Sequence, residues 1–366
     1  MSDPNPAPSP SRGGPGRVQR PAHLDLAHIE AAIDRFFEET GVEPSPEARQ
    51  LVAEIMLSGL KLVADGADMG QLKLVRSALK EMRHAYRIFN PYRGIRKISI
   101  FGSARTPESD PDYGLARVFS RIISSHGMMV ITGAGDGIMK AGHEGPDVDR
   151  CFGLRIRLPF EAGANSVIDG DPKLVNFRYF FTRKLMFMAH SDAVAVFPGG
   201  FGTQDELFEA LTLIQTGKSN LVPVVLLEHE GGDYWRSWEK GCVDQLAARR
   251  LISPEDRGLY SIHTDPLAAV DEIMGFYRRY HSMRFVGRDL VLRLETPVGA
   301  DELARLEEEF ATELCASGGF RTTEALDDED DHRDLPRLAF HFNRRAWSRL
   351  RALIDRLNGA KGGHAG

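Results

Sequence analysis

The chain has little cysteine: three residues, Cys151, Cys242 and Cys315, far apart and with neither CxxC nor Cys/His ligand spacing. That excludes a disulfide framework and offers no structural zinc site, so the thiols are expected to be buried in a reducing compartment. No apolar run approaches the roughly 20 residues needed to span a bilayer, and the amino-terminal stretch lacks the apolar core of a secretory signal. A cytoplasmic protein with no membrane partner is expected. Neither sign of charge dominates, with 46 Lys and Arg against 52 Asp and Glu for a formal net charge of -6, which removes the electrostatic motive for binding a nucleic-acid polymer. His126, His143, His190 and His263 stand without the i, i+4 or HExxH spacing of a metal site, so no metal is expected and these histidines read as structural.

What is present fits an ordinary globular protein, with 42% hydrophobic and 27% charged residues. At 366 residues the chain is longer than one compact core supports, since such cores stop growing near roughly 250 to 300 residues, so a main domain with appendages is expected. Residues 1–22, rich in Pro, Gly, Ser and Arg, read as a disordered tail, and residues 23–94 as a helical segment in which Ser45 and Pro46 start a helix that places Leu51, Ile55, Leu60 and Val63 near one face. Over residues 95–283 short β-rich runs alternate with helical spacing: ISIFGS, MMVITGAG, CFGLRIRL, DAVAVFPGG and VPVVLL are the strands. This alternation predicts an α/β fold, a Rossmann-like doubly wound parallel sheet. Residues 284–366 read as a small βαβα appendage with Asn343 capping its last helix, and the acidic run from Asp327 to Asp331 as a solvated loop.

Three glycine-bearing turns end strands: FGSAR (101–105), TGAGDGIM (132–139) and PGGFGTQDE (198–206). In a doubly wound sheet such turns gather on one edge, and each feeds a helix whose first N–H groups lack internal partners and attract anions. The GxGxG of Gly133, Gly135 and Gly137 is not the dinucleotide fingerprint GxGxxG, so a nicotinamide cofactor is disfavoured and no cofactor is expected. These glycines alone leave two readings open, a phosphate cradle and a plain tight turn. The third turn is richer: glycines, the Thr203 hydroxyl and the carboxylates Asp205 and Glu206 at the foot of one helix, preceded by Arg183 and Lys184 on the helix before that strand. Asp205 and Glu206 also suit the helix dipole by themselves.

In combination, FGSAR, GAGDGIM, the Arg183-Lys184 pair and PGGFGTQDE resemble the LOG ("Lonely guy") family of nucleotide phosphoribohydrolases, formerly labelled lysine decarboxylases, over about residues 95–280. The resemblance implies a Rossmann-like fold and hydrolysis of the N-glycosidic bond of a purine (AMP-like) or cytokinin nucleoside 5′-monophosphate, releasing base and ribose 5-phosphate. It implies Arg183 and Glu206 as catalytic residues. Substrate would be held by Lys184, Gly199, Gly200, Gly202, Thr203 and Asp205, joined by Gly102, Ser103, Gly133, Gly135 and Gly137 on the neighbouring turns. A homodimer or higher homo-oligomer is implied as well. Asp205-Glu206 departs from the family's paired glutamates, and Glu161 is the nearest counterpart of a substrate-contacting glutamate upstream.

Physical chemistry points the same way. Cleaving a glycosidic bond builds positive charge on the ribose, which a carboxylate below C1′ stabilises while orienting the attacking water, and a cation beside the departing base lowers the barrier. The rival function is a non-catalytic binder or sensor of a nucleotide or phosphorylated cofactor on the same fold.

Overall fold

The structure is a computed structural model that describes residues 26–158, 163–326, 329 and 331–359. The expected tail at 1–22 and Glu161 lie outside these residues. The chain divides into two compact units between Lys80 and Glu81.

The first unit contains α1 (Leu26–Thr40), α2 (Pro46–Ala64) and the start of α3 (Met69–Phe89). Ser45 accepts the Ala48 N–H at the start of α2, with Pro46 in the first turn where its missing N–H loses nothing. Ile29 and Ile33 of α1 pack on Ala53 and Leu57 of α2. Leu51, Ile55, Leu60 and Val63 of α2 are exposed.

The second unit is built on β1 (Lys97–Phe101), α4 (Pro111–Ser125), β2 (Met129–Thr132), α5 (Ile138–Glu144), β3 (Cys151–Ile156), β4 (Leu174–Phe177), α6 (Phe180–His190), β5 (Ala193–Val196), α7 (Phe201–Gln215), β6 (Val224–Leu227), α8 (Tyr234–Trp238), α9 (Asp244–Ala248), β7 (Ser261–His263) and α10 (Pro266–Phe276). The seven strands form a parallel sheet in the order β4-β3-β2-β1-β5-β6-β7. Alternating side chains serve two cores. Ile98, Ile100, Val130, Ala193 and Ala195 face Phe119, Ile123, Ile138 and Ile273 of α4, α5 and α10. Met129, Ile131, Val194 and Val196 face Met186 and Phe187 of α6 and Leu207 and Ile214 of α7. Helices on both faces leave the central strands buried from end to end, which is why they read as continuous apolar runs. The α/β, Rossmann-like doubly wound sheet is thus the architecture of the chain. The runs LVNF (β4) and SIH (β7) are strands that the sequence pattern did not reveal, both being short and weakly apolar.

The carboxyl-terminal region is richer than the βαβα expected. It contains β8 (Tyr280–Val286), β9 (Asp289–Leu294), α11 (Ala300–Leu314), β10 (Cys315–Thr323), β11 (Arg337–Phe342) and α12 (Trp347–Leu357), a ββαββα unit with an antiparallel sheet ordered β10-β11-β9-β8. Gly287, at φ +58°, lets FVGRDLV fold back as a hairpin where one strand was expected. Within the acidic run expected as a solvated loop Glu329 is fully buried and Asp331 exposed, while Asp327, Asp328 and Asp330 lie outside the described residues. Asn343 lies ahead of α12: its side chain accepts the N–H groups of Arg345 and Ala346, and Ala346 is the N-cap. Cys151 is buried as expected, whereas Cys242 and Cys315 are half-buried.

Candidate active site

The strand order reverses between β1 and β5, which are neighbours although three strands separate them in sequence. Chains leaving the carboxyl ends of such strands diverge and open a crevice. Here the two exits are also stitched together. Phe197 donates its N–H to the Phe101 carbonyl at 2.8 Å and Ser103 donates to the Pro198 carbonyl at 3.1 Å. The crevice is a cavity of about 770 Å³, and the walls are the turn after β1, Gly133 and Met139 from the second turn and α5, Arg183 and Phe187 of α6, and the first residues of α7.

One end of this cavity suits an anion. Gly200 is the N-cap of α7, a helix of 15 residues, so the N–H groups from Gly200 through Thr203 have no acceptor one turn earlier in the helix. A side chain at Gly199 is excluded, since a Cβ there lies 2.1 Å from the Thr203 hydroxyl oxygen. Gly102, Ser103, Gly133, Gly199, Gly200, Gly202 and Thr203 all line the cavity, and so does the exposed guanidinium-bearing Arg105. Gly135 and Gly137, expected to add amides to the same anion, are not on its wall. Gly137 serves the packing of the turns instead. At φ +60°, with any Cβ only 2.3 Å from the Ser103 carbonyl, it lets the second turn pack directly against the first.

The lining also carries the charges of Arg183 and Glu206. Glu206, one turn into α7 and 8% exposed, has its Oε1 3.5 Å from Nη2 of Arg183. Arg183 in turn lies against the rings of Phe180 and Phe187. Lys184 holds Glu206 Oε2 at 3.0 Å, Asp205 Oδ2 at 3.0 Å and Glu209 Oε2 at 2.7 Å. Lys184 and Asp205, expected to line the substrate, are not on the wall of this cavity, and of the two only Lys184 pairs with Glu206. Burial pushes the Glu206 carboxyl above the usual glutamate range, and the hydrogen bond and charge of Lys184 and the charge of Arg183 offset only part of this. Burial works against the Lys184 ammonium too, but its hydrogen bonds to Glu209, Asp205 and Glu206 outweigh it and keep the amine charged.

Arg183 and Glu206 are thus on the same wall, with the glycine turns beside them. Asp136 is exposed and Glu144 pairs with Lys140 at 3.6 Å, and neither lines the cavity. His143 is fully buried among the Thr132 hydroxyl, the Phe152 carbonyl and Asn165, and burial lowers its pKa to about 4, a structural histidine. Phe187, Gln204, Met139 and Arg105 line the cavity without having been singled out. Phe187 was accessible to reasoning, standing four residues after Arg183 and so on the same helix face. Met139 was not, because its approach depends on how the second turn folds over the first. Among the described residues no group of His, Cys, Asp or Glu could hold a metal ion, and no helix is long and apolar enough to cross a membrane.

Comparison with known proteins bears on this site. Residues 135–273 match the family described as possible lysine decarboxylase. Two Arabidopsis thaliana cytokinin riboside 5′-monophosphate phosphoribohydrolases are similar: LOG1 is 40% identical over 75 residues, 20% of this chain and 33% of that protein. LOG3 is 32% identical over 133 residues, 36% of this chain and 47% of that protein. The chain therefore spans between a third and about half the length of these relatives. Among solved structures, a molybdenum cofactor carrier protein of Chlamydomonas reinhardtii is 21% identical, covering 49% of this chain and 96% of its own at a TM-score of 0.36. The DNA processing protein A of Helicobacter pylori is 13% identical, covering 50% and 82% at 0.35. The matched segment contains Arg183, Lys184 and the whole PGGFGTQDE turn, and by these comparisons the chain resembles the LOG family.

Proposed function

We propose that this chain hydrolyses the N-glycosidic bond of a purine (AMP-like) or cytokinin nucleoside 5′-monophosphate, releasing free base and ribose 5-phosphate. The observation that carries the reading is the placement of a buried carboxylate, Glu206, 3.5 Å from Arg183 on the wall of a cavity whose neighbouring wall is the open amino-terminal turn of a long helix. The 5′-phosphate sits on the N–H groups from Gly200 to Thr203, with the exposed Arg105 also on the cavity wall. Gripping that remote charge converts binding energy into alignment of C1′.

Glu206 then faces the anomeric carbon. As the bond to the base stretches, positive charge grows on the ribose and the ionised carboxylate stabilises it while accepting a proton from the water whose oxygen bonds to C1′; the departing base takes up a proton from solvent and Glu206 releases its own, which regenerates the carboxylate. Arg183 orients that carboxylate and supplies positive charge to the electron pair leaving with the base. Lys184 keeps Glu206 in place although burial favours its protonation. No metal or organic cofactor enters this scheme. The proposal includes the cytoplasm as its setting and the homo-oligomer implied by the resemblance, which light scattering on the purified protein measures.

The deciding experiment is incubation of the purified chain with a panel of nucleoside 5′-monophosphates, AMP first, with free base followed by chromatography. Release of adenine and ribose 5-phosphate supports the proposal. Saturable binding of AMP with no base released from any member of the panel replaces it with the rival reading, a nucleotide-binding protein.

A further inference from the structure

Tyr234 opens α8 and is absent from the cavity wall. The Tyr234 hydroxyl donates to the Gly199 carbonyl at 2.5 Å and accepts from Nε2 of Gln204 at 2.8 Å, so one oxygen ties the peptide before the N-cap of α7 to its first turn. The tyrosine is itself held firmly. Glu228, 1% exposed at the end of β6, accepts the N–H groups of Tyr234 at 2.7 Å and Trp235 at 3.3 Å, and the buried Trp235 indole donates to the Leu227 carbonyl at 3.0 Å.

A planar trans peptide directs its C=O and N–H to opposite sides. Turning the Gly199 carbonyl toward Tyr234 therefore turns the Gly200 N–H away from Tyr234, toward the cavity that both glycines line. The chain itself leaves this peptide free to choose. It joins two glycines, and the flip of such a unit rotates φ of the second residue by about 180°, from -85° at Gly200 to near +95°, a region open to glycine and closed to most other residues.

We propose that Tyr234 is a positioning residue that selects one of two orientations of the Gly199–Gly200 peptide, the one that aims the Gly200 N–H at the phosphate of the substrate. The inference rests on the reading of this turn as the phosphate cradle, and it assigns the anion affinity of the turn to a hydroxyl outside the site.

The test uses the full chain, with calorimetric titration of inorganic phosphate and ribose 5-phosphate alongside AMP kinetics. Tyr234→Phe keeps the ring and removes the hydroxyl. It is expected to weaken binding of both probes and raise KM for AMP about tenfold, the equivalent of losing about 1.4 kcal/mol, while kcat changes less than threefold. A tyrosine that merely supported the fold would lower kcat and binding together, so the split between KM and kcat is the check. Unchanged probe binding in Tyr234→Phe overturns the inference, as does a fall in kcat as large as the rise in KM. The probe titrations need no turnover, so they decide the role of Tyr234 even where the nucleotide panel shows no hydrolysis.

Discussion

Two carboxylates in this molecule are buried beside a pair of cations, and they differ in almost everything else. Glu206 has Arg183 at 3.5 Å and a Lys184 shared with Asp205 and Glu209. Glu329, in the antiparallel sheet region, accepts from Nε of Arg293 at 2.9 Å, Nε of Arg337 at 3.2 Å and the Leu326 N–H at 3.1 Å. Arg293 and Arg337 stand directly opposite each other on β9 and β11, two like charges that repel across the pair unless an anion lies between them. Burial raises the pKa of both carboxyls, but at Glu329 the hydrogen bonds from Arg337, Leu326 and Arg293 win and hold it below the usual range, whereas at Glu206 burial wins. A saturated carboxylate is a structural anchor. Glu206, whose Lys184 is shared with two other carboxylates and which borders a cavity, is the one the proposed function uses.

The comparison breaks most visibly in turnover. Glu206→Gln keeps the shape and removes the charge, and on the proposed function it is expected to lower kcat for AMP by about 10³-fold or more, with the far-ultraviolet circular dichroism unchanged. Release of adenine at the parental rate would return Glu206 to the ranks of structural carboxylates. Glu329→Gln is expected to leave kcat within a factor of about two at temperatures where the variant stays folded.

Stability reverses the ranking. Glu329→Ala leaves two opposed, buried guanidinium groups without their anion and is expected to destabilise the chain by about 3 to 5 kcal/mol, read from the midpoint of urea unfolding. A midpoint within experimental error of the parent's contradicts an anchoring role.

The asymmetry between the regions extends to how they are written in the sequence. Glu206 is legible because its surroundings are local: the glycines, Thr203 and Asp205 are within a few residues, and Arg183 enters on the helix that feeds the same strand. Strands with continuous apolar runs, β1, β2, β5 and β6, are legible for the same reason. Glu329 is not. Its partner Arg293 is 36 residues away, and their meeting depends on the register of β9 with β11, which no short-range pattern specifies. An acidic run reads as solvated unless the buried cations opposite it are known. The separate placement of Gly137 and Gly135 off the cavity wall is hidden likewise, because the packing of one turn on another sets it.

A smaller effect sharpens the anion end of the site. Thr203→Val removes a hydroxyl at the start of α7 and is expected to raise KM for AMP about tenfold with kcat little changed, since the proposed function assigns the group to the phosphate grip and not to the reacting atoms. Equal falls in kcat and kcat/KM place Thr203 with the reacting atoms instead.

The smallest effect is also the one that distinguishes the two carboxylates without any substrate. A carboxyl whose pKa is raised on folding favours the folded state while protonated and opposes it once ionised. The contribution of Glu206 is thus fully present below the unfolded value near 4.5 and is lost as pH rises through its folded value. Glu329, held below that value, contributes the reverse: its stabilisation is present above the unfolded value and is lost as pH falls through the folded one. Melting curves of Glu206→Gln and Glu329→Gln against the parent at pH 7 should therefore differ in sign, with a gain of a few degrees for the first and a loss for the second. Both differences should shrink toward acid, where each glutamate is as neutral as the glutamine that replaces it. On the proposed function the same raised pKa is expected to set the acid limb of kcat for AMP above pH 4.5, since the proposed role of Glu206 requires the ionised form. Melting differences of one sign at pH 7 would mean that the cations around Glu206 hold it as tightly as those around Glu329, and an anchor of that kind has no capacity left for chemistry.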